Sequence, residues 1–183
     1  MRRSLVLFMV LLASSAAADC PPAPDISAKM DDLIAAARAA PDERAAQPAA
    51  AGMWREWTRA PDDWAQELLD EGMERRASFD LPGAAIAFEQ LVKYCPDYAE
   101  GYNQRAFVRF LQGDYAAALP DLDRALALRP RHVAALSGKG LTLIALGQVA
   151  EGQAAIRAAL AFNPWLSERR FLELDRGGAQ REL

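Results

Sequence analysis

The chain has 183 residues, with 21 lysines and arginines against 25 acids and a formal net charge of −4 at neutral pH. A mildly acidic chain binds nucleic acid and anionic membrane surfaces poorly, so neither is expected as a partner. This length is sufficient for one sizeable core or for a short array of repeats.

The first 18 residues have the three-part layout of a secretory signal peptide. Two arginines precede an apolar run from Leu5 to Ala13, and small residues end at Ala18, where we expect cleavage. The run is about half the roughly 20 residues that span a bilayer, so no stable membrane anchor is expected. Its strongly apolar core favours Sec export over the twin-arginine route, and Asp19 before Cys20 argues against lipoprotein processing.

Residues 19–60 are predicted to form an N-terminal arm and a helical cap. A first helix has one apolar face and is stopped by Pro41. That face consists of Ile26, Met30, Leu33 and Ile34. A second helical segment carries Met53, Trp54 and Trp57, and its start should be irregular because of Pro48 and Gly52. A degenerate extra repeat fits the same spacing, but we favour a cap.

Residues 61–174 repeat themselves with a period of 34 residues. Prolines, small residues and large apolar residues recur in phase. They are Pro96, Pro130 and Pro164; Gly72, Ala106 and Gly140; and Phe88, Leu122 and Ile156. A fixed period of this length indicates a solenoid of stacked units.

Each unit contains two helix-length segments joined by a turn and closed by the proline. In the second unit Gly113 supplies the turn and Asp114 is a good N-cap for the following helix. We place the units at about 65–98, 99–132 and 133–166, a capping helix at 165–174 and a loose tail at 175–183.

This pattern resembles the tetratricopeptide repeat, in which the first helix of each unit is called helix A and the second helix B. The resemblance consists of a small residue in helix A, a small and a large apolar residue in helix B, and a closing proline. The matching sets are Gly72, Ala84, Phe88 and Pro96; Ala106, Ala118, Leu122 and Pro130; and Gly140, Gly152, Ile156 and Pro164. The resemblance implies an all-α, right-handed α-solenoid of about three helix pairs, of an exported bacterial type. Glu71, Arg105 and Lys139 depart from the family's usual leucine, and we expect long stems with solvated charges there.

Pro120 interrupts the predicted helix B of the second unit, in its second turn. An interior proline removes a hydrogen bond and clashes with the preceding turn, at a cost of about 3 kcal/mol. We therefore predict a local kink or a late helix start there. The matching position in the family usually faces solvent, so Pro120 is not assigned to a binding site.

Residue patterns for catalysis are absent from the sequence. The one histidine, His132, lacks neighbours at metal-ligand spacing and is interpreted as a solvated loop residue. The acids Asp121 and Asp123 are interpreted as part of a solvated helix face. There is no glycine-rich phosphate loop, so we predict no enzyme activity, no cofactor and no metal.

The resemblance implies a concave groove lined by the A helices, which binds a peptide or protein segment. The predicted groove residues are Leu69, Met73, Arg76, Glu100, Asn103, Phe107, Phe110, Ser137, Leu141 and Ile144. Most are apolar, and Arg76, Glu100 and Asn103 are predicted to be polar handles on this surface. A largely apolar groove with few polar groups suits a partner helix or an apolar peptide. Alternatively, the segment bearing Trp54 and Trp57 covers this face and makes it part of the core.

Both cysteines, Cys20 and Cys95, lie after the expected cleavage site, and an even pair in an oxidising compartment predicts a disulfide. The sequence therefore predicts a non-catalytic, periplasmic scaffold or assembly factor whose groove binds a cell-envelope protein. Two alternatives stay open. One is a ligand-binding or enzyme-accessory protein with a pocket between the N-terminal helices and the groove, and the other is a purely structural module.

Overall fold

The computed structural model describes residues 20–173, and every secondary-structure element in that range is helical. The α-helices are α1 (Ser27–Ala39), α2 (Glu43–Trp57), α3 (Asp63–Ala77), α4 (Leu81–Tyr94), α5 (Ala99–Leu111), α6 (Tyr115–Leu128), α7 (Val133–Ala145) and α8 (Val149–Leu160). This confirms the predicted all-α class. The expected signal peptide and the expected tail lie outside the described residues.

Six of these helices form three successive pairs, α3 with α4, α5 with α6 and α7 with α8, and each pair stacks on the next. Small residues at the 34-residue period allow the close approach within a pair. A β-carbon added to Gly152 would lie 2.6 Å from the carbonyl oxygen of Gly140, and one added to Gly72 would strike the ring of Phe88. The period seen in the sequence is therefore a packing requirement.

The turn inside each pair requires one residue in the left-handed region. Gly113 and Gly147 occupy it with φ of 78° and 80°, and Phe79 occupies the matching place in the first pair with φ of 62°. Asp80 and Asp114 then cap the following helices by accepting hydrogen bonds from backbone N–H groups. Glycine adopts this conformation without strain, whereas a bulky aromatic residue does not.

We expect Phe79→Gly to raise the free energy of unfolding by about 0.5–1 kcal/mol. The substitution removes the backbone strain of a left-handed phenylalanine, which is about 1–3 kcal/mol. The larger conformational entropy that glycine loses on folding offsets part of this gain. No core contact is lost, because the ring is 84% exposed. Urea unfolding followed by circular dichroism measures the gain. Phe79→Ala keeps the β-carbon and hence the strain, so an equal gain in that variant would contradict the explanation.

Two prolines lie inside regular helices. Pro120 is in α6, which begins at Tyr115 directly after its cap. Of the two predicted outcomes the late helix start is therefore wrong, and the local kink stays a prediction. Pro48 is in α2, which is helical from Glu43 onward, so the expected irregular start of that segment is also wrong. Both prolines are exposed, and capping and tertiary packing outweigh their local cost.

The charged residues in helix A are not simply solvated. Arg105 makes a two-pronged contact with the buried carboxylate of Asp121, with Nε at 2.9 Å and Nη2 at 2.6 Å from its two oxygens. Arg109 donates to the same carboxylate at 2.7 Å, and Lys139 pairs with Asp123 at 2.6 Å. The hydrogen bond to Asp121 raises the pKa of the Arg105 guanidinium. Ion pairs thus join α5 to the buried Asp121 of α6, where solvated charges were expected. Glu71 and Asp123 are about half exposed, in agreement with the expectation for these two residues.

The N-terminal helices α1 and α2 form a hairpin that packs on the third pair. Its apolar faces share one core with residues of α7 and α8. The buried members are Ile26, Met30, Ile34, Ala37, Ala49, Met53, Trp57, Val133 and Ala159. Ion pairs of Asp31 with Arg131 and of Glu43 with Arg169 flank this contact. The hairpin therefore reaches past the first two pairs to the end of the array.

A disulfide joins Cys20 to Cys95, with the two Cα atoms 5.1 Å apart. Cys95 is buried in the core of the first pair, beside Leu68, Phe88 and Leu91. A side-chain hydrogen bond of 2.8 Å from Arg129 to the carbonyl oxygen of Pro24 also binds the segment before α1. This segment is thus tied to both the first and the second helix pair.

The segment predicted as the capping helix at 165–174 forms a shorter 3-10 helix, Ser167–Glu173, without a buried residue. Gln153 of α8 donates to the carbonyl oxygens of Phe171 and Leu172, at 3.1 and 3.2 Å. Within residues 20–173, no helix has the length and apolar character needed to cross a membrane.

Candidate functional site

A pocket of about 270 Å³ opens between α5 and α7, and we call it the α5–α7 pocket. Residues of α5 and α7 form most of its lining, which is mainly apolar. The lining also includes Trp54 of the N-terminal hairpin and, after α8, Leu166 and Glu168. The lining residues are Trp54, Asn103, Gln104, Ala106, Phe107, Phe110, Leu122, Ala134, Ser137, Gly138, Leu141, Thr142, Leu166 and Glu168.

Five of the ten predicted groove residues meet in this pocket: Asn103, Phe107, Phe110, Ser137 and Leu141. Phe107 is 45% exposed, although it is a large aromatic side chain. Phe110 is tilted against Tyr115, with ring centroids 5.2 Å apart. The helical spacing of these residues places them on the same side of α5 and α7, which explains why they come together.

The other five predicted groove residues lie outside the pocket lining. Leu69 is fully buried in the core of the first pair, where Met73 packs against it, so Leu69 is a core residue and not a surface contact. Ile144 faces α8 closely enough to exclude a β-carbon at Gly152. Glu100 is 1% exposed and therefore is not the surface handle that the sequence predicted.

Glu100 is the centre of a buried polar network beneath the pocket. Its carboxylate accepts hydrogen bonds from Gln104 Nε2 at 2.5 Å and from Asn103 Nδ2 at 3.2 and 3.3 Å. His132 Nε2 lies 2.7 Å from its second oxygen. A buried carboxylate with several donors is well satisfied, whereas the same donors without it would be left unpaired.

His132 is buried, with 1% exposure, so its interpretation as a solvated loop residue is wrong. It caps α7, because its Nδ1 accepts a hydrogen bond of 3.3 Å from the backbone N–H of Ala135. Because Nδ1 accepts, the N–H group of the ring is on Nε2, and it donates a hydrogen bond to Glu100. Trp57 stacks on the imidazole at 4.3 Å between centroids, and the Trp57 carbonyl accepts a bond of 2.6 Å from the Tyr98 hydroxyl.

Arg76 connects the network to the surface. Its guanidinium donates to Gln104 Oε1 and lies 4.8 Å from the centroid of the Phe107 ring, in a cation–π contact. Burial lowers the pKa of Arg76, and the nearby carboxyl of Glu100 opposes that shift. The predicted polar handle Arg76 thus supports the exposed aromatic ring at the edge of the pocket.

Four pocket residues were not identified from the sequence. Gln104 and Thr142 are polar residues of α5 and α7, and Leu166 and Glu168 come from the segment after α8. The contact of Gln104 with Glu100 was predictable, since the two residues are four apart and share one helix face. The positions of Leu166 and Glu168 were not predictable, because they depend on how the segment after α8 turns back.

Among the described residues, no group of three or more histidine, cysteine, aspartate or glutamate side chains could hold a metal ion. His132 and Glu100 are the nearest approach to such a cluster, and both are engaged in the buried network. The pocket is an apolar cavity whose wall also contains hydroxyl and amide groups.

These features define an α-solenoid of stacked helix pairs with an apolar pocket between α5 and α7. Residues 109–164 match the family model described as tetratricopeptide repeat. Together with the helix pairs and the 34-residue period, this match identifies the stacked helix pairs as tetratricopeptide repeats.

Individual relatives agree with this family. A TPR repeat-containing protein of Rhizobium etli is 36% identical over 80 residues, which are 44% of this chain and 36% of that protein. The TPR2B domain of yeast Sti1, solved in a pHsp70 complex, superposes with a TM-score of 0.58 and 26% identity, covering 66% of this chain and 100% of that domain. An O-GlcNAc transferase of Thermobaculum terrenum gives a TM-score of 0.54 and 28% identity over 55% of this chain and 19% of the enzyme.

The chain spans only part of the curated relatives that it matches. The aligned region covers 36%, 15% and 39% of the length of three of them. The tetratricopeptide fold supports a role as a scaffold for protein interaction.

Proposed function

We propose that the protein is a non-catalytic scaffold that binds a peptide or protein segment in the α5–α7 pocket. One observation carries the proposal, which is the exposure of Phe107 at the edge of an apolar pocket. A large exposed apolar group beside a cavity is typical of an interaction site, since binding removes it from water. The yeast Sti1 domain was solved in a complex with pHsp70, which supports a binding role for this protein by analogy.

The N-terminal hairpin leaves this surface accessible. Trp57 and Met53 of α2 are directed into the core shared with the third pair and do not cover Phe107. Trp54 lies at the pocket and adds to its wall. The hairpin therefore narrows one end of the groove and leaves its centre open.

A second candidate is a protein that binds a small ligand between the N-terminal helices and the groove. The contribution of Trp54 to the pocket favours it. However, the pocket volume of about 270 Å³ is at the lower limit for small-molecule sites, which are roughly 300–1,000 Å³. A pocket of this size is better suited to one or two side chains of a protein partner.

We propose further that the protein is exported and acts in the periplasm, as a scaffold or assembly factor of the cell envelope. The signal-peptide pattern of residues 1–18 supports export. The disulfide between Cys20 and Cys95 supports an oxidising compartment, because such bonds are rare in the cytosol.

We expect Phe107→Glu to abolish capture of the envelope partner, because a carboxylate replaces the exposed aromatic ring at the pocket. Crosslinking in the intact envelope, followed by purification of the tagged protein from the periplasmic fraction, measures the capture. Phe79→Glu is the matched control, since it makes the same change at an exposed phenylalanine outside the pocket.

Circular dichroism should show native helical content in both variants. Equal capture by native protein and Phe107→Glu would reject the pocket as the binding site. Absence of the protein from the periplasmic fraction would reject the proposed location.

A further inference from the structure

The hydroxyl of Ser137 is a buried polar group at the wall of the α5–α7 pocket. Ser137 is 5% exposed, and its Oγ has no hydrogen-bond partner among residues 20–173. Buried hydroxyl groups are normally paired, because an unpaired one loses its bonds to water without replacement. Because Ser137 lies in the pocket wall, a turn of its side chain about the Cα–Cβ bond to another staggered rotamer would present this hydroxyl to an occupant of the pocket.

Neighbouring polar groups of the pocket are already engaged. Thr142 Oγ1 donates to the carbonyl oxygen of Gly138 at 2.8 Å. The amide groups of Asn103 and Gln104 donate to Glu100. Ser137 thus differs from the other hydroxyl in the same wall, and the difference points to an occupant with one hydrogen-bonding group.

Of the one or two side chains that this volume accommodates, a single large one fits the shape of the pocket best. The volume of about 270 Å³ accommodates an aromatic ring, and Phe107, Phe110 and Leu141 supply apolar walls. Aromatic rings pack favourably against phenylalanine in offset or edge-to-face arrangements. An aromatic side chain with a polar tip satisfies both the walls and the Ser137 hydroxyl.

Charge restricts the occupant further. Glu168 is the one charged residue that the described part of the chain contributes to the lining, and Glu100 lies behind Asn103 and Gln104. Arg76, the cation at the pocket edge, is already engaged by Gln104 and by the Phe107 ring. A carboxylate or phosphate in the pocket would therefore face the two acids without a free cation beside it, which is unfavourable. A neutral phenol avoids this repulsion and can either donate to Ser137 or accept from it.

We propose that the α5–α7 pocket binds a tyrosine side chain of the partner, with the ring between Phe107 and Leu141 and the phenol hydrogen-bonded to Ser137 Oγ. This specifies the partner's chemistry and rests on the function proposed above. The pocket is then an anchor site, and the exposed surface around Phe107 contacts the flanking residues.

Three small probes test the proposal without the partner: p-cresol, toluene and 4-methylbenzoate. Titrations followed by 1H–15N NMR should show p-cresol and toluene shifting amides of α5 and α7, while 4-methylbenzoate does not. Ser137→Ala should lower the ratio of the toluene Kd to the p-cresol Kd by about 3- to 10-fold, the loss of one hydrogen bond. Because the same two probes are compared in the native protein and in the variant, their difference in hydration does not affect the change in this ratio.

Thr142→Val is the matched control, because it removes a hydroxyl of the same pocket that is already paired, and it should leave the ratio unchanged. Intermolecular NOEs from p-cresol to Ser137 and Leu141 in the unaltered protein give a second measurement that needs no variant. An unchanged ratio in Ser137→Ala, absence of those NOEs, or equal binding of 4-methylbenzoate would overturn the tyrosine assignment. Failure of Phe107→Glu to affect capture would instead overturn the proposed function, and the two failures are separable because the probes require no partner.

Discussion

Replacement of Cys20 and Cys95 together by alanine should lower the free energy of unfolding by about 4 kcal/mol. The bond closes a loop of 75 residues, and in the chain-entropy model such a cross-link restricts the unfolded chain by roughly that amount. Urea unfolding of the oxidised native protein and of the double variant measures the difference. The effect is large because a typical domain is stable by only about 5–15 kcal/mol.

The reductant provides the control for this experiment. Reduction should lower the stability of the native protein toward that of the double variant, and it should leave the double variant unchanged. Arg129 still binds the carbonyl oxygen of Pro24 after reduction, so some attachment of the N-terminal segment persists. A double variant as stable as the oxidised native protein would show that the bond does not stabilise the fold.

Glu100→Gln should lower the free energy of unfolding by about 3 kcal/mol. In the variant an NH2 group replaces one carboxylate oxygen, so a donor takes the place of an acceptor. In the native protein that acceptor receives hydrogen bonds from Gln104, Asn103 or His132. Buried donors without acceptors cost about 1–3 kcal/mol each, and breaking a buried pair costs about 3–5 kcal/mol. Thermal unfolding should show the midpoint falling by about 6–12 °C.

Glu89→Gln is the matched control for this variant. Glu89 is exposed and contacts Arg105 at 2.5 Å, so its neutralisation should change stability by no more than about 0.5 kcal/mol. If both variants lose the same small amount, Glu100 is not the centre of a stabilising network.

The helix pairs were predictable because the sequence repeats the residues that packing requires. Gly72, Gly140 and Gly152 recur where two helices touch, and Gly113 and Gly147 recur where the turn needs a left-handed residue. Five of the ten predicted groove residues were also brought together, since a 3.6-residue period fixes which side chains share a face. Local rules and periodicity were sufficient for these features.

The ion pair of Arg105 with Asp121 was not predictable, because it depends on the relative position of two neighbouring helices. These residues are 16 apart in sequence, and only the packing of α5 on α6 places their charged groups 2.6 Å apart. Asp121 was interpreted as solvated because charged residues on a helix face usually are. The two-pronged arginine contact replaces the hydration that burial removes.

The burial of His132 has a similar cause. In a regular array of helix pairs the turn before α7 would be open to solvent. Here Trp57, which lies outside the repeats, stacks on the ring, and Glu100 from the preceding pair accepts a hydrogen bond from its Nε2–H. A residue supplied by a non-repeated segment cannot be inferred from the period.

The N-terminal hairpin also changes how cooperatively the array unfolds. Solenoids have contacts mainly between adjacent units, so their terminal units can fray independently of the rest. In this protein α1 and α2 share a core with α7 and α8, and the disulfide fastens the segment before them to the first pair. These long-range contacts raise the contact order and couple the two ends, so the last pair should not open without the hairpin. Folding is then closer to that of a globular domain than to that of a linear array.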